Sequence, residues 1–293
     1  MKKLFFTITI LCSLASQSQS FNDRFKILMQ LGSDAKSMDN LFKEWKQKEP
    51  SNPDLYIGGF NFYYQEATKE ILSLSPSPTS NPQLELKDST NNTAAYLGGQ
   101  KTQNDSLFNI SQNFLVEGLK KNPKRLDMRF GKIYALGTFN RFNDFTRDLL
   151  ETLEYSKKIN HKWLWSNNEP VKDEINFLKA AVQDYQNTLY KNKEDGNMLE
   201  IAEKMNTIFP NDAIILCTLG STYLMDNKLE KALPIFEKAY SLKPDDNIII
   251  NNLALSYFNS KDYKKAKRLF TILLEKGDEN QKTLAKEKLK LIE

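Results

Sequence analysis

Set against itself at a shift of 34 residues, the C-terminal third of this chain matches position after position. Leu216, Leu219, Gly220 and Tyr223 fall on Ile250, Leu253, Ala254 and Tyr257, while Ala232, Phe236 and Ala239 fall on Ala266, Phe270 and Leu273. Pro210 and Pro244 stand the same distance apart. A fixed interval of this length means that each unit is one supersecondary element, able to bury its apolar face only against its neighbours. Within each unit apolar residues recur three and four apart, the period of a helix. The polar triplets Asp226-Asn227-Lys228 and Ser260-Lys261-Asp262 divide each unit into two helices joined by a tight turn. Small residues at Gly220, Ala232, Ala254 and Ala266 let the paired axes approach, and Tyr223, Phe236, Tyr257 and Phe270 fill the space that remains.

In these positions, and in Pro244, the two units resemble the tetratricopeptide repeat family. Asp278 stands where the second unit would carry its proline. The resemblance implies an all-α fold of stacked antiparallel helix pairs forming a right-handed superhelix. It also implies a function, because in that family the concave side is lined mainly by the first helix of each pair and receives an extended partner segment. On the two clear units that wall is Ile214, Cys217, Ser221, Leu224, Ile248, Asn251, Leu255 and Phe258. The basic residues with which some members clamp a C-terminal carboxylate are absent from these positions.

Upstream the helical period continues from Phe21, and helices are expected over 22–31, 37–48, 53–73, 105–121, 125–138, 141–158, 170–191, 196–208, 212–226, 228–242, 246–259, 262–276 and 279–292. Breaks at Asn52-Pro53, Asn122-Pro123, Pro210-Asn211 and Pro244-Asp245 join a helix-stopping proline to a short polar residue suited to cap the next helix. Val182 to Tyr190 and Asn197 to Pro210 read as a third, degenerate unit, and Thr283 to Ile292 as a capping helix with one apolar face. Residues 73–105 lack the period and collect Pro, Ser, Asn and Gly. This irregular insertion reads first as a surface loop, and second as a small hairpin pairing Leu84-Glu85-Leu86 with Ala95-Tyr96-Leu97 across the Asp88 to Thr93 turn. The organisation expected is a leader over 1–20, a helical segment over 21–72, the insertion over 73–105, divergent repeats over 106–195, and clear repeats with their cap over 196–293.

Lys2 and Lys3, the apolar run from Leu4 to Leu14 and small polar residues from Ala15 to Ser20 form a secretory leader pattern, cut near Ser18 or Ser20. The run is about half the ~20 residues of a membrane-spanning helix, so no transmembrane segment is expected in the mature chain. Thr9, Ile10 and Leu11 lack the small residue that precedes a lipidated cysteine, which sets lipidation at Cys12 below simple export to the periplasm or cell envelope. With Cys12 gone, Cys217 has no partner for a disulfide, and packing must hold the fold. The 41 Lys and Arg against 37 Asp and Glu, interleaved along the chain, argue against a nucleic-acid partner.

A single histidine, His161, excludes multi-histidine metal sites. No nucleophile motif stands beside it, and neither Gly58-Gly59 nor Gly98-Gly99 sits in a phosphate-binding glycine pattern. The expectation is therefore a non-enzyme without cofactor or metal, an exported scaffold for a partner polypeptide. The alternative is a small-molecule or glycan module using Trp163 and Trp165 as a platform and the 73–105 insertion as a lid; the competing structural reading is a loop tucked onto the stack by its tryptophans.

Overall fold

The computed structural model describes residues 19–78 and 83–292, so the leader expected over 1–20 falls almost wholly outside it. The described residues form two units, one ending at Ala135 and the other beginning at Leu136. The first contains α1 (Phe21–Gln30), α2 (Ala35–Lys48), α3 (Pro53–Ala67), strands β1 (Glu70–Ser75), β2 (Gln83–Lys87) and β3 (Thr93–Lys101), α4 (Asp105–Lys121) and most of α5 (Leu126–Thr138). The second contains α6 (Phe142–Lys158), α7 (Glu174–Lys191), α8 (Asp195–Ile208), α9 (Ala213–Met225), α10 (Leu229–Leu242), α11 (Asn247–Asn259), α12 (Tyr263–Lys276) and α13 (Glu279–Lys290).

In the first unit α3 and α4 pack closely because glycines lie at their contact. A Cβ on Gly118 would stand 2.7 Å from the Tyr56 Cβ, and one on Gly59 would collide with the Phe114 ring. Phe114 stacks on Tyr63 and meets Phe42 edge-on, which joins α2 to the pair. The helix expected over 53–73 ends at Ala67, where Thr68 caps it by donating its hydroxyl to the Tyr64 carbonyl at 2.9 Å. Beyond it the apolar residues switch to alternation, and β1, β2 and β3 form an antiparallel sheet in the order β1-β3-β2. Leu74, Leu97 and Leu84 stand in cross-strand register, and Leu86 lies opposite Ala95. The loop preferred for this segment is thus a regular sheet. The hairpin is present, and β1 was concealed because Ile71, Leu72 and Leu74 also extend the helical pattern of α3.

The second unit shows its interval in the backbone. Helices α8, α10 and α12 begin at 195, 229 and 263 and end at 208, 242 and 276, each 34 residues after the last. The turns before them place Lys193, Asn227 and Lys261 in the left-handed region at φ 60, 56 and 64°. The same reverse hydrogen bond closes each turn, from Glu194, Lys228 and Asp262 N–H to the carbonyls of Leu189, Tyr223 and Tyr257 at 3.0, 2.8 and 2.9 Å. Asp212 and Asp246 cap α9 and α11, each accepting from the second and third helical N–H groups. These caps lie one residue beyond Asn211 and Asp245, the neighbours of the prolines. Tyr223 and Tyr257 donate to Glu203 and Glu237 on the preceding second helix at 2.7 and 2.5 Å. Gly220, Phe236, Ala254 and Phe270 all point inward and are buried. Asp278 opens α13 with a capping box to Gln281, as Asp246 caps α11 at the earlier exit.

Candidate functional site

The first helices α7, α9 and α11 line one groove of about 450 Å³. From α9 it receives Ile214, Cys217, Thr218 and Ser221, and from α11 Ile248 and Asn252. The opposite wall is α7, with Gln183, Gln186, Asn187 and Tyr190. Ile214 and Ile248 are 48% and 63% exposed, a wasteful placement for isoleucine unless something covers it. Asn252 donates its amide towards Cys217 Sγ at 3.3 Å and Ser221 Oγ at 3.4 Å, tying α11 to α9. Burial raises the Cys217 thiol above its ordinary pKa against the opposing pull of Asn252, so the groove floor carries a neutral, weakly nucleophilic sulfur.

Of the eight residues expected on this wall, the structure brings Ile214, Cys217, Ser221 and Ile248 together. Leu224, Leu255 and Phe258 instead lean on the repeat core. Phe258 meets Tyr263 and Phe270 edge-on and lies under the Lys288 ammonium of α13, 4.6 Å from its ring. Asn251 is half-buried, with Oδ1 unpartnered, and the amide that reaches the groove is its neighbour Asn252. The α7 wall was overlooked although the interval contains it. Subtracting 34 from Cys217, Ser221 and Leu224 gives Gln183, Asn187 and Tyr190.

A smaller cavity of about 270 Å³ adjoins the groove between α7, α8 and α9. At its rim Lys179 pairs with Asp212 at 2.5 Å and lies 5.0 Å from the centre of the Phe209 ring. Burial disfavours the Asp212 carboxylate, but Lys179 and the N–H groups of Ile215 and Ile214 outweigh it and hold the pKa below the ordinary value.

The tryptophan loop is built differently from a ligand platform. Trp163 is 1% exposed and donates Nε1–H to Ser156 Oγ at 2.9 Å. The Ser156 hydroxyl is in turn 2.9 Å from His161 Nδ1, and the imidazole stacks on Phe209. Trp165 is half-buried and meets Phe177 edge-on. Trp163 therefore has no ring face left for a glycan, and Ser156, fully buried, is no accessible nucleophile. Leu164 bridges Pro170, and Asp173 stands at φ 49°, so α7 starts at Glu174 and not near 170. Among the described residues, no group of three or more His, Cys, Asp and Glu side chains is arranged to hold a metal ion, and no helix is long and apolar enough to cross a membrane.

The interval, the inward small and aromatic residues and the shared turn define a helical-repeat protein, and residues 213–246 match the tetratricopeptide repeat family model. That match covers the helix pair α9–α10, and α11–α12 repeats its helix limits at the 34-residue interval. MamA from Desulfovibrio magneticus is similar at 21% identity, with 56% of this chain and 82% of that one covered and a TM-score of 0.38. YrrB, described as a TPR protein with an unusual peptide-binding site, is similar at 11% identity over 84% of this chain and 97% of its own, with a TM-score of 0.44. A TPR protein of Thermus thermophilus is similar at 15% identity over 63% and 91%, with a TM-score of 0.37. No protein of curated function matches the chain.

Proposed function

We propose that this chain is an exported, non-catalytic scaffold that holds an extended segment of a partner polypeptide in the groove between α7, α9 and α11. The observation that carries this reading is the composition of the facing walls. Amides at Gln183, Asn187 and Asn252 oppose one another across a floor of Cys217 and exposed isoleucines. Amides both donate and accept, so they suit the alternating N–H and C=O groups of an extended backbone, while the isoleucines suit apolar side chains of that segment. The groove offers no free cluster of like charge, which favours neutral over strongly charged segments.

Selection of linear peptides from a randomised display library tests the reading directly. Peptides recovered on the wild type are expected to lose at least about tenfold in affinity on Ile248→Asp and on Asn187→Asp, and to keep it on Thr207→Asp in α8, outside the groove. Equal affinity for all of these proteins would remove the groove from the account. Export belongs to the same proposal. Ser20 accepts from the Asp23 N–H at 3.1 Å and caps α1, so a cut ahead of Ser20 would preserve that helix start. N-terminal sequencing of the protein from an envelope fraction should begin at residues 19 to 21; recovery of Met1 would refute leader cleavage.

A further inference from the structure

The 34-residue interval, carried one unit upstream, sets Gln186 at the place of Gly220 and Ala254, and Ala202 at the place of Phe236 and Phe270. The second helix of this third unit follows the other two, with the same limits for α8, the same left-handed turn residue and the same closing hydrogen bond, while α7 starts five residues earlier and lies farther from α8 than the first helices of the later pairs lie from theirs. The pair of side chains across the helix contact changes as well. A large amide occupies the position of the small residue, and a methyl group occupies that of the phenyl ring. The ring that fills the later pairs is missing here, and the 270 Å³ cavity is open where Ala202 faces Val182, Met205, Ile215 and Gln186.

Gln186 is 3% exposed. Its Nε2 donates to the Met198 carbonyl at 3.2 Å, while its buried Oε1 accepts no hydrogen bond. Such an unpaired buried acceptor is costly, and a donor entering the cavity would relieve it after a modest turn of the amide about its broad terminal torsion. Lys179 is already neutralised by Asp212, so the rim has no spare charge for an anion. An engineered apolar cavity of about 150 Å³ accepts benzene, so this one has space for one ring or two fused rings. Gln183, Gln186, Ile214 and Thr218 line both the cavity and the groove, which gives a groove-bound segment a way in.

We infer that this cavity is the anchor pocket for one neutral aromatic side chain with a single N–H or O–H donor, a tyrosine or tryptophan of the bound polypeptide, an inference that rests on the groove reading above.

Methyl NMR of the full chain, labelled at Met and Ile, tests the pocket apart from the groove with p-cresol and toluene as probes. The Met205 and Ile215 methyl signals are expected to shift with p-cresol, toluene is expected to bind at least about tenfold more weakly, and Gln186→Leu is expected to equalise the two. Ala202→Phe should abolish both responses. The double variant Gln186→Gly with Ala202→Phe, which gives the third unit the side-chain pairing of its neighbours, should do the same while melting at a higher temperature than wild type. Absence of shifts, equal binding of the two probes to wild type, or shifts that survive in both filled variants would overturn the inference. In library-selected peptides, replacing the tyrosine or tryptophan by alanine should weaken binding to wild type at least about tenfold and leave binding to the filled variant unchanged. Peptides that bind the filled variant as well as wild type, yet fail on Ile248→Asp, overturn the pocket while the groove stands. Peptides indifferent to Ile248→Asp overturn the groove, and the p-cresol result then decides the pocket alone.

Discussion

Gly220→Ala adds one methyl group at the closest helix contact of the clearer repeats, and its effect follows from three distances. The new Cβ would stand 2.7, 2.8 and 2.9 Å from the Cε1, Cζ and Cδ1 atoms of Phe236, whereas carbon atoms rest at about 3.5 to 4.0 Å. The ring is 0% exposed in the same cluster as Leu216, Ala232 and Ala239, so it has no open side to retreat into. Overpacking of this kind costs about 1 to 3 kcal/mol, and replacing glycine by alanine within a helix returns about 1 kcal/mol. The expected net loss is about 0 to 2 kcal/mol, or a fall of up to roughly 8 °C in Tm for a unit of this size. Gly196→Ala in α8 is the matched control, because an added Cβ there meets nothing within 4 Å; it should raise Tm slightly. Thermal and urea denaturation followed by circular dichroism give both numbers, and a cycle with Phe236→Leu isolates the clash. The double variant should lie at least about 1 kcal/mol closer to wild type than the sum of the singles. A Gly220→Ala protein as stable as the Gly196→Ala protein, or an additive cycle, would refute close approach as the reason for glycine at 220.

Ser156→Ala leaves the buried Trp163 N–H without its acceptor and His161 Nδ1 without its partner. It should cost about 1 to 3 kcal/mol in urea denaturation followed by tryptophan fluorescence, and a loss below about 0.5 kcal/mol would dismiss the loop anchor. Burial holds the His161 imidazole below its ordinary 6.5, against the opposing pull of Glu174. The unfolded imidazole therefore takes up its proton first, and the stability present above about pH 6.5 declines as pH falls through the folded value. The single histidine makes this readable in one NMR titration, and a folded pKa at or above 6.5 would contradict it. Lys243, and then the N–H groups of Ile249 and Ile248, keep the Asp246 carboxyl below its usual range despite burial. Its contribution is present above the unfolded value of 3.8 and is lost as pH falls through the folded one. Asp246→Asn should thus flatten the stability profile below about pH 4, and an unchanged profile would assign the acid sensitivity elsewhere.

The repeat limits were legible because their determinants are local: a turn residue at Asn227 or Lys261, a small residue against an aromatic one, and a capping aspartate before each first helix. The β1 strand was not, since Ile71, Leu72 and Leu74 satisfy both periods and only pairing with β3 decides between them. Groove residues were legible as a helix face and blurred in register. A single residue, about 100° around the helix, separates Asn251 from Asn252, and the presence of α13 over Phe258 turns an expected groove residue into core. The tryptophan loop depended on one contact across its own turn, the Ser156 hydroxyl beneath Trp163, which no residue pattern announces.

In the third unit Gln186 and Ala202 break the pattern of small residue and ring; α8 and its turn keep the interval, while α7 starts five residues earlier than the interval sets. The cavity therefore goes with a change of side chains and with a wider helix pair, since α7 and α8 approach each other less closely than α9 and α10 or α11 and α12. Burying a phenylalanine at 202, as at 236 and 270, would stabilise the unit by about 2 to 3 kcal/mol. A chain shaped only for stability would fill that space. Departures from local rules concentrate at functional sites. On that argument the position least like its family in sequence is the position at which this scaffold differs in what it can hold.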